Sequence, residues 1–508
     1  MKNHLQLILD SKFWRKYKIM SKANRIVIIG AGFAGREIAA EISSKGILGE
    51  VVAFLDDAPD KIGTEEQGIP ILGPINKALP YIKEIQADEA LIAIPGAEKS
   101  DLRRIYTYLQ NAELKRIRIL PNVSQIIEGD AHLIQTREIK AQDLLARKPV
   151  HIGLVESLEY LRGKRVLITG AGGSIGSELA RQLLSGGADR LYLFDHGENN
   201  VYEIDRELRI LQEGGVGEAS TIVPIVGELQ DRDFVKFIIS RLKADVIFHC
   251  AAYKHVPLTE ENPVEGVKNN IFGTKNIVDA AKEFEVSKFV FISTDKAVSP
   301  VCVYGASKLV AEELVLNSNS KKTDFMVVRF GNVLGSRGSI VPLFTRQIMK
   351  GGPVTITHKN VKRFFMTIPE AASLVLKTGG VGTGGTLYIL EMGKPILIRD
   401  LAEQMIKFYG YLPEKEIKII FTGLRPGEKL DERLWTEEDT VVATKHPGII
   451  KVLHRSRLNG QLEEILEKLY IACFLGEEKE KYRNRIYLRK VLHEYIPSIG
   501  LVNNEPEY

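Results

Sequence analysis

The 508 residues exceed what one hydrophobic core usually serves and point to two or three domains. With 69 basic against 65 acidic side chains, the formal charge of +4 is too small to argue for nucleic acid or an anionic membrane as the main partner, so anion recognition has to be local. Cys250, Cys302 and Cys473 share no metal-ligand spacing, which argues against a metal centre or a disulfide framework and for reduced thiols in a cytoplasmic protein.

Residues 1–24 form a basic amino-terminal segment. Its apolar run at residues 5–9 is broken by Asp10, Lys12, Arg15, Lys16 and Lys18, and no later window supplies the roughly 20 uninterrupted apolar residues of a membrane span. At most, this basic start makes peripheral membrane contact. The first strand-turn-helix opening is Arg25-Ile-Val-Ile-Ile-Gly-Ala-Gly-Phe-Ala-Gly35, with glycines at 30, 32 and 35 and a helical pattern over residues 36–43. A second strand at 51–55 ends in Asp56, where a dinucleotide-binding fold holds its ribose-binding carboxylate. Together with a buried-strand pattern at 89–95, this predicts a Rossmann-like domain over 25–125. Nothing near it supplies chemistry, so a regulatory module and a true nucleotide-binding domain stay equally open. Residues 126–163 read as a connector.

The second opening is Lys164-Arg-Val-Leu-Ile-Thr-Gly-Ala-Gly-Gly-Ser-Ile-Gly176. Gly170 lets the chain turn, Gly173 lets backbone N–H groups approach a pyrophosphate, and Gly176 allows the helix to pack on the strand. Asp195 ends the next strand, 190–195, and an acid there favours NAD over NADP. Further strands are expected at 245–250, 288–293 and 325–330, which gives an α/β chain with two Rossmann-like parallel-sheet domains. Asp295, Lys296, Tyr304 and Lys308 then fall within one short segment, enough for acid–base redox chemistry. Adjacent opposite charges such as Asp295 and Lys296 are usually a solvated surface pair. Here they follow the apolar strand 289–292, at the carboxyl end of a parallel sheet, where ligands bind. Tyr304 and Lys308, at i,i+4 spacing, would by themselves be a packed helical pair; beside the glycine loop they read as catalytic.

The glycine loop, Asp195, His249-Cys-Ala-Ala252, Asn270 and Tyr304-x-x-x-Lys308 resemble the extended short-chain dehydrogenase/reductase superfamily. Thr294-Asp-Lys-Ala297, Tyr304-Gly-Ala-Ser-Lys308, Arg329-Phe-Gly-Asn-Val-Leu-Gly-Ser-Arg337 and Arg425-Pro-Gly-Glu-Lys-Leu430 are similar, more narrowly, to the UDP-N-acetylglucosamine 4,6-dehydratases of polysaccharide and glycan biosynthesis. Gly68-Ile-Pro-Ile-Leu-Gly-Pro74 and Asp143-Leu-Leu-Ala-Arg147 resemble that family's long form, whose members usually carry transmembrane helices ahead of this region. The expectation here is the long form without those helices, with Phe13-Trp-Arg-Lys-Tyr-Lys18 resembling the stretch just after the last of them.

The resemblance implies a catalytic domain over 164–435 that binds NAD and a UDP-N-acetylhexosamine, a small carboxyl-terminal substrate subdomain, a helical extension over 436–508 with an amphipathic pattern at 458–474, and a homo-oligomer. It assigns Gly170, Gly173, Ser174, Ile175, Gly176, Asp195, Ala251, Ala252, Tyr304 and Lys308 to the cofactor. Tyr304 would take the C4 hydroxyl proton, its phenol acidified by Lys308 and the nicotinamide charge, while Thr294 bonds the same oxygen. Lys296 would remove the C5 proton and Asp295 would protonate the departing C6 hydroxyl. Arg337, Arg363 and Arg425 would pair with the diphosphate, and Lys254, Asn332, Ser336 and Glu428 would contact the rest of the substrate. His255, in a loop resembling one beside the family's active site, reads equally well as a structural histidine. Long members often have methionine where this chain has Tyr304, which leaves inversion or retention at C5 open. A UDP-sugar 4-epimerase of the same superfamily, needing no pair for water loss, is the nearest alternative, and a catalytically silent nucleotide-sugar sensor the alternative of another class.

Overall fold

The computed structural model describes residues 24–45, 49–94, 97, 99–110, 112, 114–120, 137–138, 157–453, 456–458, 460–501 and 505. The basic segment up to residue 23, most of the connector and the motif from Asp143 to Arg147 lie outside the described residues. The chain divides into two compact units, Met1–Lys140 and Ala141–Tyr508.

In the smaller unit, β1 (Arg25–Ile29) leads into α1 (Phe33–Lys45) and is flanked by β2 (Glu50–Leu55) and β3 (Glu89–Ile92); β4 (Arg116–Ile119) and β5 (Arg137–Glu138) complete a sheet of order β2-β1-β3-β4-β5. All neighbours are parallel except β4 and β5. The Ile and Val side chains of β1 are buried along the strand, as in a parallel sheet covered on both faces. Asp56, just past β2, is spent inside the unit: its carboxylate accepts the N–H groups of Ala31 at 2.8 Å and Ala58 at 2.9 Å and pairs with Lys61 at 3.3 Å. Burial alone would raise the carboxyl pKa, but those two N–H groups and the lysine outweigh it and hold it below the ordinary value.

The larger unit is built on a nine-stranded sheet. β6 (Arg165–Thr169), α2 (Ser174–Ser185), β7 (Arg190–Asp195), α3 (Glu198–Glu213), β8 (Thr221–Val226), β9 (Val246–His249), β10 (Lys288–Thr294), α4 (Val303–Asn317), β11 (Asp324–Phe330), β12 (Thr386–Leu390), β13 (Thr440–Ala443) and β14 (Ile449–Leu453) follow in chain order. The sheet order is β8-β7-β6-β9-β10-β11-β12-β14-β13, parallel through β12 and antiparallel at β14 and β13. Its core is the paired faces of these strands, with Phe248, Phe289, Phe291 and Phe325 fully buried at the centre. The chain runs one way from β6 and then resumes on its other side at β9, so the crevice beyond the carboxyl ends of these two strands is the topological switch point.

A small subdomain is interleaved with this sheet. Asn332–Leu334 pairs with Phe365–Thr367 and Val354–Ile356 pairs with Ile419–Phe421, around a separate apolar core that includes Phe344, Ile356, Met405 and Ile406. Beyond residue 435 the chain still belongs to the unit, since β13 and β14 edge the main sheet. The amphipathic pattern at 458–474 becomes α5 (Leu462–Cys473), starting after a turn closed by Gln461 N–H on the Leu458 carbonyl. With α6 (Arg485–Tyr495) it buries Ile465, Leu469 and Leu488 in a cluster shared with Val303, Ala306 and Val310 of α4. The helical extension therefore packs against the helix that carries Tyr304 and Lys308. Among the described residues no helix is long and apolar enough to cross a membrane.

Candidate active site

The crevice at the switch point is a cleft of about 910 Å³ within the larger unit. On one side lies the glycine turn. Gly170 has φ +66°, and a Cβ there would come within 2.8 Å of the Ala251 backbone; one on Gly176 would lie 2.2 Å from the Gly170 carbonyl oxygen. Only glycine lets β6, β9 and α2 converge this closely. No side chain caps α2 at Gly173, so its first N–H groups are left for a ligand, and Gly173, Ser174 and Ile175 line the cleft. Asp195, buried at the end of β7, accepts N–H from Gly172 at 3.1 Å and Gly197 at 3.0 Å. Ala251 and Ala252 extend β9 into the same wall. Beneath them His249 sits 2.6 Å from the Thr169 hydroxyl and 3.0 Å from that of Thr274, and burial pushes its pKa down to about 3, so it is a neutral structural bridge.

β10 delivers the reactive segment. Thr294 is its last residue, and Asp295 and Lys296 open the short turn Asp295–Ala297 that comes next. The Thr294 hydroxyl donates to Asp295 Oδ1 at 2.9 Å, and Lys296 Nζ donates to the same oxygen at 3.0 Å and to Asn332 Oδ1 at 3.4 Å. Burial disfavours the Lys296 ammonium, but the carboxylates of Asp295 and Glu432 more than compensate and raise its pKa above the ordinary lysine value. Lys296 lines the cleft. Asp295, its hydrogen-bond partner, is fully buried just behind the cleft wall that Lys296 and Gly331 form. Its Oδ2 has no hydrogen-bond partner among the described residues, and a Cβ placed on the cleft-lining Gly331 would be 3.2 Å from it.

Tyr304 and Lys308 lie one turn apart on α4, both buried and both lining the cleft. Burial pushes the Tyr304 phenol up to about 12, opposed first by the Lys296 charge and then by a hydrogen bond with Thr294. That acidifying role was expected of Lys308. In the structure, Lys308 Nζ instead donates to the Ile292 carbonyl at 2.7 Å and lies 3.8 Å from the Phe291 ring centre, and burial lowers its pKa to about 7.

The substrate-side residues divide. Asn332, Ser336, Arg337, Arg363, Arg425, Glu428 and Lys254 all line the cleft and differ in what already holds their side chains. Arg363 is nonetheless heavily used internally: it donates to the carbonyls of Lys362, Lys429 and Leu430 and pairs with Glu428 at 3.3 Å. Glu428 also accepts the Thr357 hydroxyl at 2.8 Å. Arg425 is exposed. Arg337, assigned to the diphosphate, extends toward α3, donating to Asn200 Oδ1 at 2.9 Å and pairing with Glu203 at 3.4 Å. Its backbone joins the two walls, since its N–H donates to Ser174 Oγ at 3.2 Å and its carbonyl accepts Lys254 Nζ at 3.1 Å.

Glu432 is the residue that sequence reasoning missed. It is buried, with Oε1 3.8 Å from Lys296 Nζ and Oε2 3.8 Å from Lys429 Nζ. Standing between Asp431 and Arg433, it reads as one more surface charge; its place just after the Arg425-Pro-Gly-Glu motif was the only signal.

A doubly wound sheet with a glycine turn at its switch point, a Tyr-x-x-x-Lys helix beside it and an interleaved carboxyl-half subdomain define the extended short-chain dehydrogenase/reductase fold. The chain belongs to the polysaccharide biosynthesis protein family, whose pattern matches residues 166–454; a CoA-binding domain pattern matches residues 7–121. It is 40% identical over 497 residues to the capsular polysaccharide biosynthesis protein CapD of Staphylococcus aureus, covering 95% of this chain and 81% of that protein. Over 327 residues it is 34% identical to a UDP-N-acetylglucosamine 4,6-dehydratase (inverting) of Campylobacter jejuni, covering 63% of this chain and 91% of the relative. Among solved structures, Pen from Bacillus thuringiensis superposes with a TM-score of 0.52 at 36% identity, over 57% of this chain and 90% of that one.

Proposed function

We propose that this protein is an NAD-dependent UDP-N-acetylglucosamine 4,6-dehydratase that makes a UDP-4-keto-6-deoxy-N-acetylhexosamine for surface polysaccharide or glycan. The observation that carries the reading is the 3.0 Å Lys296–Asp295 contact at the same cleft as Tyr304 and Lys308, which joins an elimination pair to a redox pair. The named activity of the Campylobacter jejuni relative supports it. The uncapped start of α2, the close approach of β6, β9 and α2 that Gly170 and Gly176 permit, and Gly173 on the cleft wall fit a dinucleotide diphosphate, with Asp195 taking the adenosine ribose and disfavouring a 2'-phosphate. A nicotinamide dinucleotide held by the glycine turn, Asp195, Ala251 and Ala252 would supply the reversible hydride acceptor that temporary oxidation at C4 needs.

Tyr304 takes the proton of the C4 hydroxyl. It does so as the phenolate, the form that burial opposes by pushing the phenol up to about 12 and that the Lys296 charge and the Thr294 hydrogen bond favour. The resulting C4 ketone acidifies C5–H. Lys296 and Asp295 share one proton: the ammonium–carboxylate and amine–carboxylic acid forms differ only by its shift along their hydrogen bond. The second form supplies both groups the elimination needs. The amine of Lys296 takes the C5 proton, the C5–C6 double bond forms, and the C6–O bond breaks as Asp295 protonates the leaving oxygen to give water. Lys296 then returns its proton to C5 as C6 is reduced. On balance the released water carries the proton that left O4, so a proton passes from Tyr304 to Asp295, and the Thr294 hydroxyl, hydrogen-bonded to both, is the route.

Incubation with UDP-N-acetylglucosamine tests the proposal: a product lighter by one water, carrying solvent deuterium at C5, is expected. Lys296→Met should lower that rate by about 10²-fold or more, the usual worth of a general base. An isomer of unchanged mass from the native protein would refute the reading and point to a 4-epimerase.

A further inference from the structure

Lys296 lies within reach of a second buried carboxyl group, that of Glu432, which the mechanism above does not use. Both near neighbours of Glu432, Lys296 and Lys429, stand 3.8 Å from one of its oxygens, beyond hydrogen-bonding distance, and Oε2 has no hydrogen-bond partner among the described residues. Lys429 Nζ is directed elsewhere, to the Val298 carbonyl at 2.8 Å. A buried carboxylate with an oxygen left without a hydrogen bond is costly, whereas the neutral acid is far less disfavoured by the same burial. The site is held rigidly: Arg329, fully buried, donates to the Leu434 carbonyl at 2.9 Å while bound by two bonds to Glu312, which fixes the segment carrying Glu432 to β11 and α4.

We propose that Glu432 is a positioning residue that controls where the Lys296–Asp295 proton resides: neutral, it leaves that proton free to move to Asp295, and ionised, it pins the proton on Lys296. The inference rests on the reading of Lys296 and Asp295 as the elimination pair. An added negative charge about 4 Å from an ammonium favours the ammonium, and an ammonium cannot accept the C5 proton. The charged groups facing Glu432 are Lys296, Asp295, Lys429 and Arg363. Burial and the neighbouring Asp295 raise its pKa, the three cations oppose them, and the net direction is upward. At low pH, therefore, Glu432 is neutral and elimination proceeds; as pH rises through its elevated pKa it ionises and elimination slows, which produces an alkaline limb in kcat.

The test is the pH dependence of kcat and KM for water loss from UDP-N-acetylglucosamine, measured on the full chain with its cofactor. Glu432→Gln, neutral at every pH, is expected to keep its rate at least about one pH unit beyond the point where the native rate declines, with KM within about threefold. Lys429→Met removes a cation that favours the ionised carboxyl, so its alkaline limb should move to higher pH. This second variant carries the test if the first fails to fold. A purely structural Glu432 would lower the rate or the melting temperature without moving the limb. Native turnover with the limb at the same pH in the folded variants overturns the inference, while a native protein that removes no water at any pH overturns the dehydratase reading beneath it.

Discussion

Gly331→Ala separates elimination from redox with one methyl group. The glycine follows β11 and lines the cleft, and its φ is not in the left-handed region, so alanine is conformationally admissible and the effect is steric. An ideal Cβ would stand 3.0 Å from Phe364 Cβ, 3.2 Å from Asp295 Oδ2 and 3.4 Å from Met392 Cε. Met392 can yield at its flexible end. Asp295 is less free, because its other oxygen is bound by Thr294 and Lys296, and the methyl would cover the one oxygen without a partner. Overpacking of this kind costs about 1–3 kcal/mol of stability. Losing a positioned acid costs about 10²-fold or more in rate, and 10²-fold corresponds to about 2.7 kcal/mol of barrier. The expected outcome is water loss slowed about 10²-fold with KM within about threefold, while reduced nicotinamide accumulates because C4 oxidation continues. Stopped-flow absorbance of the reduced cofactor, alongside mass analysis of the sugar, reads both halves. Dehydration within about threefold of native would refute the assignment of Asp295 Oδ2, reached past Gly331, as the acid of the elimination.

Arg329→Met should destabilise the larger unit by about 3–5 kcal/mol, because it leaves Glu312 charged and fully buried without its partner, and Arg329→Met with Glu312→Leu should recover most of that loss. Calorimetric melting of the single and double variants checks this; a double variant no more stable than the single one contradicts it. In the smaller unit, Asp56 has a folded pKa below its unfolded value, so its contribution is complete above the unfolded pKa and disappears as pH falls through the folded one. Hydrogen-exchange protection of the β1 amides should accordingly be lower in Asp56→Asn than in native protein at pH 6, by about 10-fold, and the two should converge in acid. Equal protection at pH 6 would show that the Ala31 and Ala58 bonds contribute nothing.

The strand ends were legible because parallel sheets bury both faces. An unbroken apolar run such as residues 289–292 fits a covered strand, and the polar residues that follow it, Ser293 to Lys296, fall at the carboxyl end of the sheet, where ligands bind. The glycine turn was legible for a related reason, since close approach of β6, β9 and α2 leaves no room for a side chain at Gly170 or Gly176. Pair partners were not legible. Arg337 shows in the sequence only as a cation near a family motif; that it extends to Asn200 and Glu203 depends on where α3 begins, more than a hundred positions earlier. Arg363 likewise reads as a free guanidinium, but three carbonyls and Glu428 absorb its donors. The surroundings of Lys308 were hidden in the same way, because helical spacing fixes how far it lies from Tyr304 along α4 and says nothing of the Ile292 carbonyl to which its ammonium donates.

Glu432 is the extreme case, and its invisibility has a physical cause. Its neighbours in sequence, Asp431 and Arg433, are exposed, so no apolar pattern marks the position as buried. Burial is imposed from a distance by Arg329, whose guanidinium spans from Glu312 on α4 to the Leu434 carbonyl and draws the 425–434 segment against the end of the sheet. The same contact ties the Arg425 and Glu428 side of the cleft to the helix bearing Tyr304 and Lys308. A buried ion pair of this type contributes little net stability over an apolar replacement. Its specific effect here is registry, since it holds the segment of the nucleotide-side residues and the helix of the redox residues to one frame. The Arg329 variants therefore probe more than stability: a double variant that melts like the native protein yet shows a raised KM for the UDP-sugar would separate registry from folding, and an unchanged KM would reduce the pair to packing.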